Sequence, residues 1–240
     1  VSSQGMNKRP VTSKRSTIIA GVVLALVAVV VIGGVVNQSN QNEARNEGYG
    51  HAQNSPVQVN QGVVRVGSDT APVTIDIYED YLCPVCAQFE KIYGQELAQA
   101  TDEGKIAVRY HSLDFLNDAS ASKDYSTRAA AAALCVATTG DGRAYPAYHA
   151  TLFDTENQPA ERAGTDLSND QLAELATQVG ASAEAGPCIT SGARIADAQA
   201  ASQAGEAELA AAVGAVATPT VLRDGKSVDF RNTSWVSQLG

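Results

Sequence analysis

The sequence predicts an α/β domain with a large helical insertion, preceded by one membrane-spanning helix. Three observations predict it. A strand, a Cys-x-x-Cys turn, a helix and a second strand follow one another between residues 73 and 110. An alanine-rich, mostly helical stretch then runs from 118 to about 215, before an antiparallel hairpin signalled by Asp224-Gly225. Near the N-terminus, Ile18 to Val36 is 19 residues with neither a charge nor a polar side chain. Alternating strands and helices make an α/β domain, and a helical run between them makes an insertion. No repeat of 20–50 residues is visible.

The apolar run, bounded at 17–36, is long enough at about 1.5 Å per residue to match a hydrocarbon core of about 30 Å. It exceeds the usual apolar region of a secretory signal, about 7–15 residues, and no good small-x-small cleavage site follows it. An uncleaved signal anchor is therefore expected. Lys8, Arg9, Lys14 and Arg15 precede it, and Arg45 is the nearest basic residue after it. The positive-inside rule then places residues 1–16 in the cytoplasm and the remainder outside the cell membrane. Removing those four from the 17 basic residues leaves 13 against 26 acidic ones. So acidic a body argues against a nucleic-acid partner. Residues 37–61 are assigned to a flexible tether, because Asn37 to about Pro56 is polar, rich in Asn and Gln, and has no apolar period.

The catalytic domain is placed at 62–240, with its helical insertion at about 115–215. Val63 to Val66 is a short apolar run closed by Gly67-Ser68-Asp69. Val73 to Tyr78 alternates β-branched residues and reads as a strand. The run after Cys86 places Phe89, Ile92, Tyr93 and Leu97 on one helical face, and Pro84 suits a first helical turn. Ile106 to Tyr110 is a second strand. Helices are expected at 127–138, at 145–153, from the cap Ser168 to Gly180, and at 195–212, where Gly205 is a weak point. Thr220 to Leu222 pairs across Asp224-Gly225 with a return strand at 227–230. Ser234 can cap a last short helix at 235–239. The alanines are read as helix formers only.

Four cysteines in an exported chain meet an oxidising compartment. A Cys-x-x-Cys at a strand-to-helix junction puts Cys83 at a helix N-cap, where unpaired N–H groups and the helix dipole favour thiolate. Cys83 is then the exposed attacking sulfur and Cys86 the shielded resolving one, in exchange through a mixed disulfide. A four-cysteine zinc site is the competing reading, but Cys135 and Cys188 form no second Cys-x-x-Cys. The three histidines, His51, His111 and His149, make no metal constellation and read as surface or satisfied positions.

EDYLCPVCAQFE, RAAAAALCVATTGDGRAYPAYHATLF and GAVATPTVLRDGK, in that order, resemble the DsbA-like thioredoxin-fold proteins over residues 62–231. The resemblance implies a thioredoxin fold with the helical insertion over the active site, and an extracytoplasmic dithiol–disulfide oxidoreductase that needs no cofactor. It implies that Thr218-Pro219 is a cis-proline loop whose backbone pairs with extended substrate. It further implies exported, cysteine-containing protein substrates and a quinone-linked membrane thiol oxidoreductase for reoxidation. Two positions depart from the family. Val85 stands where the strongest oxidants carry His, in the dipeptide Pro84-Val85. The family's buried acid falls on Ile77, leaving Asp76, on the other strand face, and Asp80 as candidates for proton relay to Cys86. Cys135 and Cys188 read as a structural disulfide stapling the insertion, with a second redox couple as the alternative. Oxidase is the expected activity. Isomerase, reductase and a non-catalytic chaperone or binding module remain as alternatives.

Overall fold

The computed structural model describes residues 46–239. The basic tail, the membrane span and the tether up to residue 45 lie outside the described residues. Among those described, no helix is long and apolar enough to cross a membrane.

Six strands form one sheet: β1 (Val57–Asn60), β2 (Val63–Val66), β3 (Val73–Glu79), β4 (Ile106–Ser112), β5 (Thr220–Arg223) and β6 (Lys226–Ser227). Their order is β1-β2-β4-β3-β5-β6. β3 and β4 are parallel, with Ile77 opposite Tyr110, and the other pairs are antiparallel. The parallel pair needs a crossover, and α1 (Pro84–Asp102) supplies it. Phe89, Tyr93 and Leu97 of α1 bury against Ile75, Ile77 and Val221. The opposite face of β3 carries Tyr78, which packs with Leu113, Leu222 and Leu209 of α6 (Ile195–Val213). Period-two alternation thus sorts β3 between two helical layers.

The insertion contains α2 (Tyr125–Ala137), α3 (Ala144–Phe153), α4 (Asn169–Gln178), α5 (Ala185–Thr190) and α6. Every residue of α2 is buried except Arg128. A helix enclosed on all sides needs small side chains for close approach, which gives the alanine run its use. Arg128 reaches out to Asp124 at 2.7 Å and Asp166 at 2.8 Å. Ser168 caps α4 with a full capping box, its hydroxyl accepting from the Gln171 N–H and the Gln171 side chain accepting from the Ser168 N–H. Gly205 marks a close approach rather than a weakness. A Cβ there would meet Leu113 Cδ2 at 3.0 Å.

Three expectations are corrected. Residues 46–61 were assigned to the tether, yet they fold onto the domain. The Asp102 carboxylate accepts hydrogen bonds from the Tyr49 hydroxyl (2.9 Å), the Gln53 and Asn54 N–H groups (2.8 and 3.1 Å) and the Ser55 hydroxyl (2.6 Å). Val57 then opens a strand, paired to β2 through a tight turn at Gln61-Gly62 with φ of 49° and 79°. One distant carboxylate organises a segment that has no apolar period of its own. The return strand β6 is two residues long instead of four, because Val228 and Phe230 turn to pack on the α1 core, Phe230 lying 5.2 Å from Phe89. The last helix is a single 3-10 turn, Val236–Gln238, and Ser234 does not cap it. Trp235, set edge-on to Tyr93 at 5.6 Å, anchors that end.

Candidate active site

Cys83 is the N-cap of α1, with φ −73° and ψ 115°, and Pro84 follows at the first helical position. Its carbonyl accepts hydrogen bonds from the Cys86 N–H (3.1 Å) and the Ala87 N–H (3.3 Å), so the helix begins within the Cys-x-x-Cys turn. Both cysteines are free thiols. The expected contrast in exposure is small: Cys83 is 5% exposed and Cys86 2%. Thr218 and Pro219, joined by a cis peptide bond, lie beside the turn because β5 pairs with β3, Thr220 opposite Tyr78. The Cys83 thiol donates to the Thr218 carbonyl at 3.6 Å.

The two sulfurs sit in unequal fields. A hydrogen bond from the Cys86 thiol, opposed by burial and reinforced by Thr218 and the Cys86 and Val85 N–H groups, holds the Cys83 thiol below its ordinary pKa. Burial and the neighbouring Cys83 push Cys86 well above the ordinary thiol range, and the Glu79 carboxylate adds to that rise. The turn can therefore hold a thiolate on Cys83 while Cys86 keeps its proton.

Neither carboxylate expected as proton relay presents itself to Cys86. Asp76 lies on the opposite face of β3, where burial alone would raise its pKa but His111 (2.8 Å) and Arg109 (2.6 Å) hold it below the usual carboxylate range. The Asp80 main chain tempers the rise in the Cys86 pKa, and its carboxylate is taken up by three other donors. That carboxylate accepts from the Leu82 N–H (2.8 Å), the Ser126 hydroxyl (2.6 Å) and the Leu116 N–H (3.1 Å), while burial pushes its pKa up to about 6. Asp80 is thus a tie between the active-site turn and α2.

Sequence reasoning missed an acid whose charge reaches Cys86. Glu79 shares the α1 face of β3 with Ile77, and its carboxylate pairs with His149 Nε2 of α3 at 2.7 Å in full burial. Glu90 of α1 stands 3.8 Å from His149 Nδ1. Glu90 is one helical turn beyond Cys86 on the same stripe of α1, a spacing legible in the sequence once the helix is granted. His149 was read as a satisfied or surface histidine, and it is satisfied and buried. Burial disfavours its charged form, but the Glu79 carboxylate outweighs this, with Glu90 adding, and its pKa is raised. The other cysteines, Cys135 of α2 and Cys188 of α5, form a disulfide with Cα atoms 5.8 Å apart. Among the described residues no group of histidine, cysteine or acidic side chains could hold a metal ion.

Comparison with known proteins agrees with this geometry. A family model described as Thioredoxin matches residues 59–238. The fold is similar to the MdbA protein of Corynebacterium diphtheriae, a thiol-disulfide oxidoreductase, at a TM-score of 0.71 and 28% identity over 81% of this chain and 98% of that one. It is also similar to reduced DsbA of Mycobacterium tuberculosis, with TM-score 0.59 and 35% identity over 70% and 85% of the two chains. The serine/threonine-protein kinase PknE of Mycobacterium tuberculosis is 41% identical over 181 residues, or 75% of this chain. This chain spans 32% of the length of that relative. A reduced Cys-x-x-Cys at a helix N-cap, beside a cis-proline loop, within a match covering three quarters of the sequence, assigns the chain to the thioredoxin family as a protein dithiol–disulfide oxidoreductase.

Proposed function

We propose that the protein is a membrane-anchored oxidase that donates the Cys83–Cys86 disulfide to exported proteins carrying cysteine pairs. The observation that carries this reading is the placement of Cys83 at the α1 N-cap beside the cis Thr218-Pro219 loop, with Cys86 buried one turn on, an arrangement that lowers the Cys83 thiol and raises the Cys86 thiol. In the oxidised form a client thiolate attacks the Cys83 sulfur. A mixed disulfide forms, the Cys83–Cys86 bond breaks, and Cys86 leaves with the electron pair and takes up a proton. A second client thiolate then attacks the client sulfur of the mixed disulfide. The client closes its own disulfide, losing two electrons, and Cys83 departs as a stabilised thiolate.

Extended client chain would lie along the Thr218-Pro219 loop, whose Thr218 carbonyl already faces Cys83. The Glu79–His149 pair is the proton exchanger for Cys86 in this scheme, since the Glu79 charge acts on Cys86 and is shared with a titratable histidine. Reoxidation falls to a quinone-linked membrane thiol oxidoreductase. Residues 1–16 would be cytoplasmic, 17–36 membrane-spanning and the domain extracytoplasmic. No bound cofactor enters the scheme.

Refolding of reduced, unfolded ribonuclease tests it. The oxidised protein should restore ribonuclease activity with one client disulfide formed per Cys83–Cys86 consumed, and Cys83→Ser should restore none. Equal recovery with both proteins would reduce the domain to a binding module. Rescue of scrambled but not of reduced ribonuclease would make it an isomerase.

A further inference from the structure

The active-site turn is also held by a residue of the helical insertion. Gln158 lies in the turn that follows α3. Its own N–H donates to the Asp154 carbonyl at 2.8 Å, and the neighbouring Asn157 side chain donates to the Thr151 carbonyl at 3.1 Å, so the turn is fixed locally. From it the Gln158 Nε2 donates to two main-chain carbonyls of the turn, Tyr81 at 3.1 Å and Cys83 at 3.1 Å. Two carbonyl acceptors decide which end of the amide faces them, because only the NH₂ can donate.

We propose that Gln158 is a positioning residue for the Cys83 sulfur, acting through the Cys83–Pro84 peptide that follows it and the Tyr81–Leu82 peptide one residue ahead of it. The Cys83 carbonyl belongs to the Cys83–Pro84 peptide, and the Tyr81 carbonyl to the peptide entering the turn. Gln158 adds a third donor to the Cys83 oxygen, beside the Cys86 and Ala87 N–H groups, and holds the Tyr81 oxygen at the same amide. The positive ends of the helix start, the Val85 and Cys86 N–H groups, are left facing the sulfur. Without the clamp the Tyr81–Leu82 peptide loses this partner and the Cys83 carbonyl is left with its bonds from the Cys86 and Ala87 N–H groups, so the turn loosens and the N–H groups that favour thiolate are held less closely on the sulfur. The insertion, through this residue, therefore sets part of the reactivity of a dithiol that belongs to the thioredoxin core. The proposal rests on Cys83 being the attacking sulfur, which the ribonuclease experiment tests separately.

The test uses Gln158→Leu and Gln158→Met, which keep the bulk and remove the donor. The readouts are the Cys83 pKa, from alkylation rate against pH, and the redox equilibrium of Cys83–Cys86 with glutathione. Loss of the clamp should raise the Cys83 pKa by about half a unit, roughly a threefold loss of thiolate stabilisation. The glutathione equilibrium should move toward the disulfide by a similar factor, because the reduced form is the one that loses support. A role in folding alone would lower thermal stability and leave both readouts at their wild-type values, and that result overturns the proposal. Should both variants fail to fold, exchange of the Gln158 side-chain amide in the wild-type protein decides instead. Slowed exchange supports the clamp, and exchange at the free-amide rate overturns it.

Discussion

Glu79, His149 and Glu90 form a cluster of ionisable side chains beneath the active-site helix, and their pairing decides how the domain responds to pH. Glu79 and His149 are 2.7 Å apart, with side chains 4% and 3% exposed. His149 has a raised pKa, opposed by burial and driven by Glu79 and then Glu90. A raised folded-state value means that its contribution to stability is complete below the ordinary 6.5 and fades as pH rises through the folded value. Glu79→Gln should remove most of that dependence, flattening the fall in stability above the ordinary 6.5 in urea unfolding followed by tryptophan fluorescence. His149→Leu leaves the Glu79 carboxylate buried without its partner and should cost roughly 3–5 kcal/mol at neutral pH. If both variants kept the wild-type slope, some other group would govern this window. Asp80 acts in the opposite range. Its value of about 6 lies above the ordinary 3.8, so its support is complete below that ordinary value and declines as pH rises toward 6.

At the level of the element, α1 sets the chemistry through its first turn. Pro84 removes one N–H from the helix start, and the N–H groups of Val85 and Cys86 remain to face the Cys83 sulfur. Val85 contributes neither charge nor side-chain donor. A charge-assisted contact in its place is worth about 1.5–3 kcal/mol, and about 30 mV corresponds to 1.4 kcal/mol. Val85→His should therefore make the couple more oxidising by roughly 30–65 mV and lower the Cys83 pKa with it. Glutathione equilibration and alkylation kinetics measure the two together. A histidine that changed neither would place the control of the couple in the backbone dipoles alone.

The whole molecule divides its work between the sheet and the insertion. The sheet brings Cys83 and Thr218 together through the β3–β5 register. The insertion supplies Ser126 to Asp80, His149 to Glu79 and Gln158 to the Cys83 carbonyl. The Cys135–Cys188 bond, 53 residues apart in sequence, ties α2 to α5 within that insertion. Closing a loop of that length should contribute about 4 kcal/mol by the chain-entropy argument. The double variant Cys135→Ala, Cys188→Ala should lose about that much in denaturant unfolding and still carry a Cys83–Cys86 couple of wild-type potential. In the wild-type protein graded reduction with mass mapping should open Cys83–Cys86 first. Simultaneous opening of both pairs would instead indicate a second redox centre.

Local chemistry was enough for much of this protein. The Cys-x-x-Cys with Pro84 marked a helix N-cap. Alternation marked β3, and the face of Asp76 followed from it. Ser168 marked the start of α4. Each of these signals acts over a few residues, where dihedral preference and hydrogen-bond reach are written in adjacent side chains. What only the tertiary structure decided spans long stretches of chain. Asp102 recruits residues 49–55 from about fifty positions away, so a polar segment with no pattern becomes part of the domain. Glu79 and His149 are 70 residues apart, and Gln158 and Cys83 are 75 apart. A buried charge is tolerable only where a partner meets it, and no local pattern says which distant side chain will.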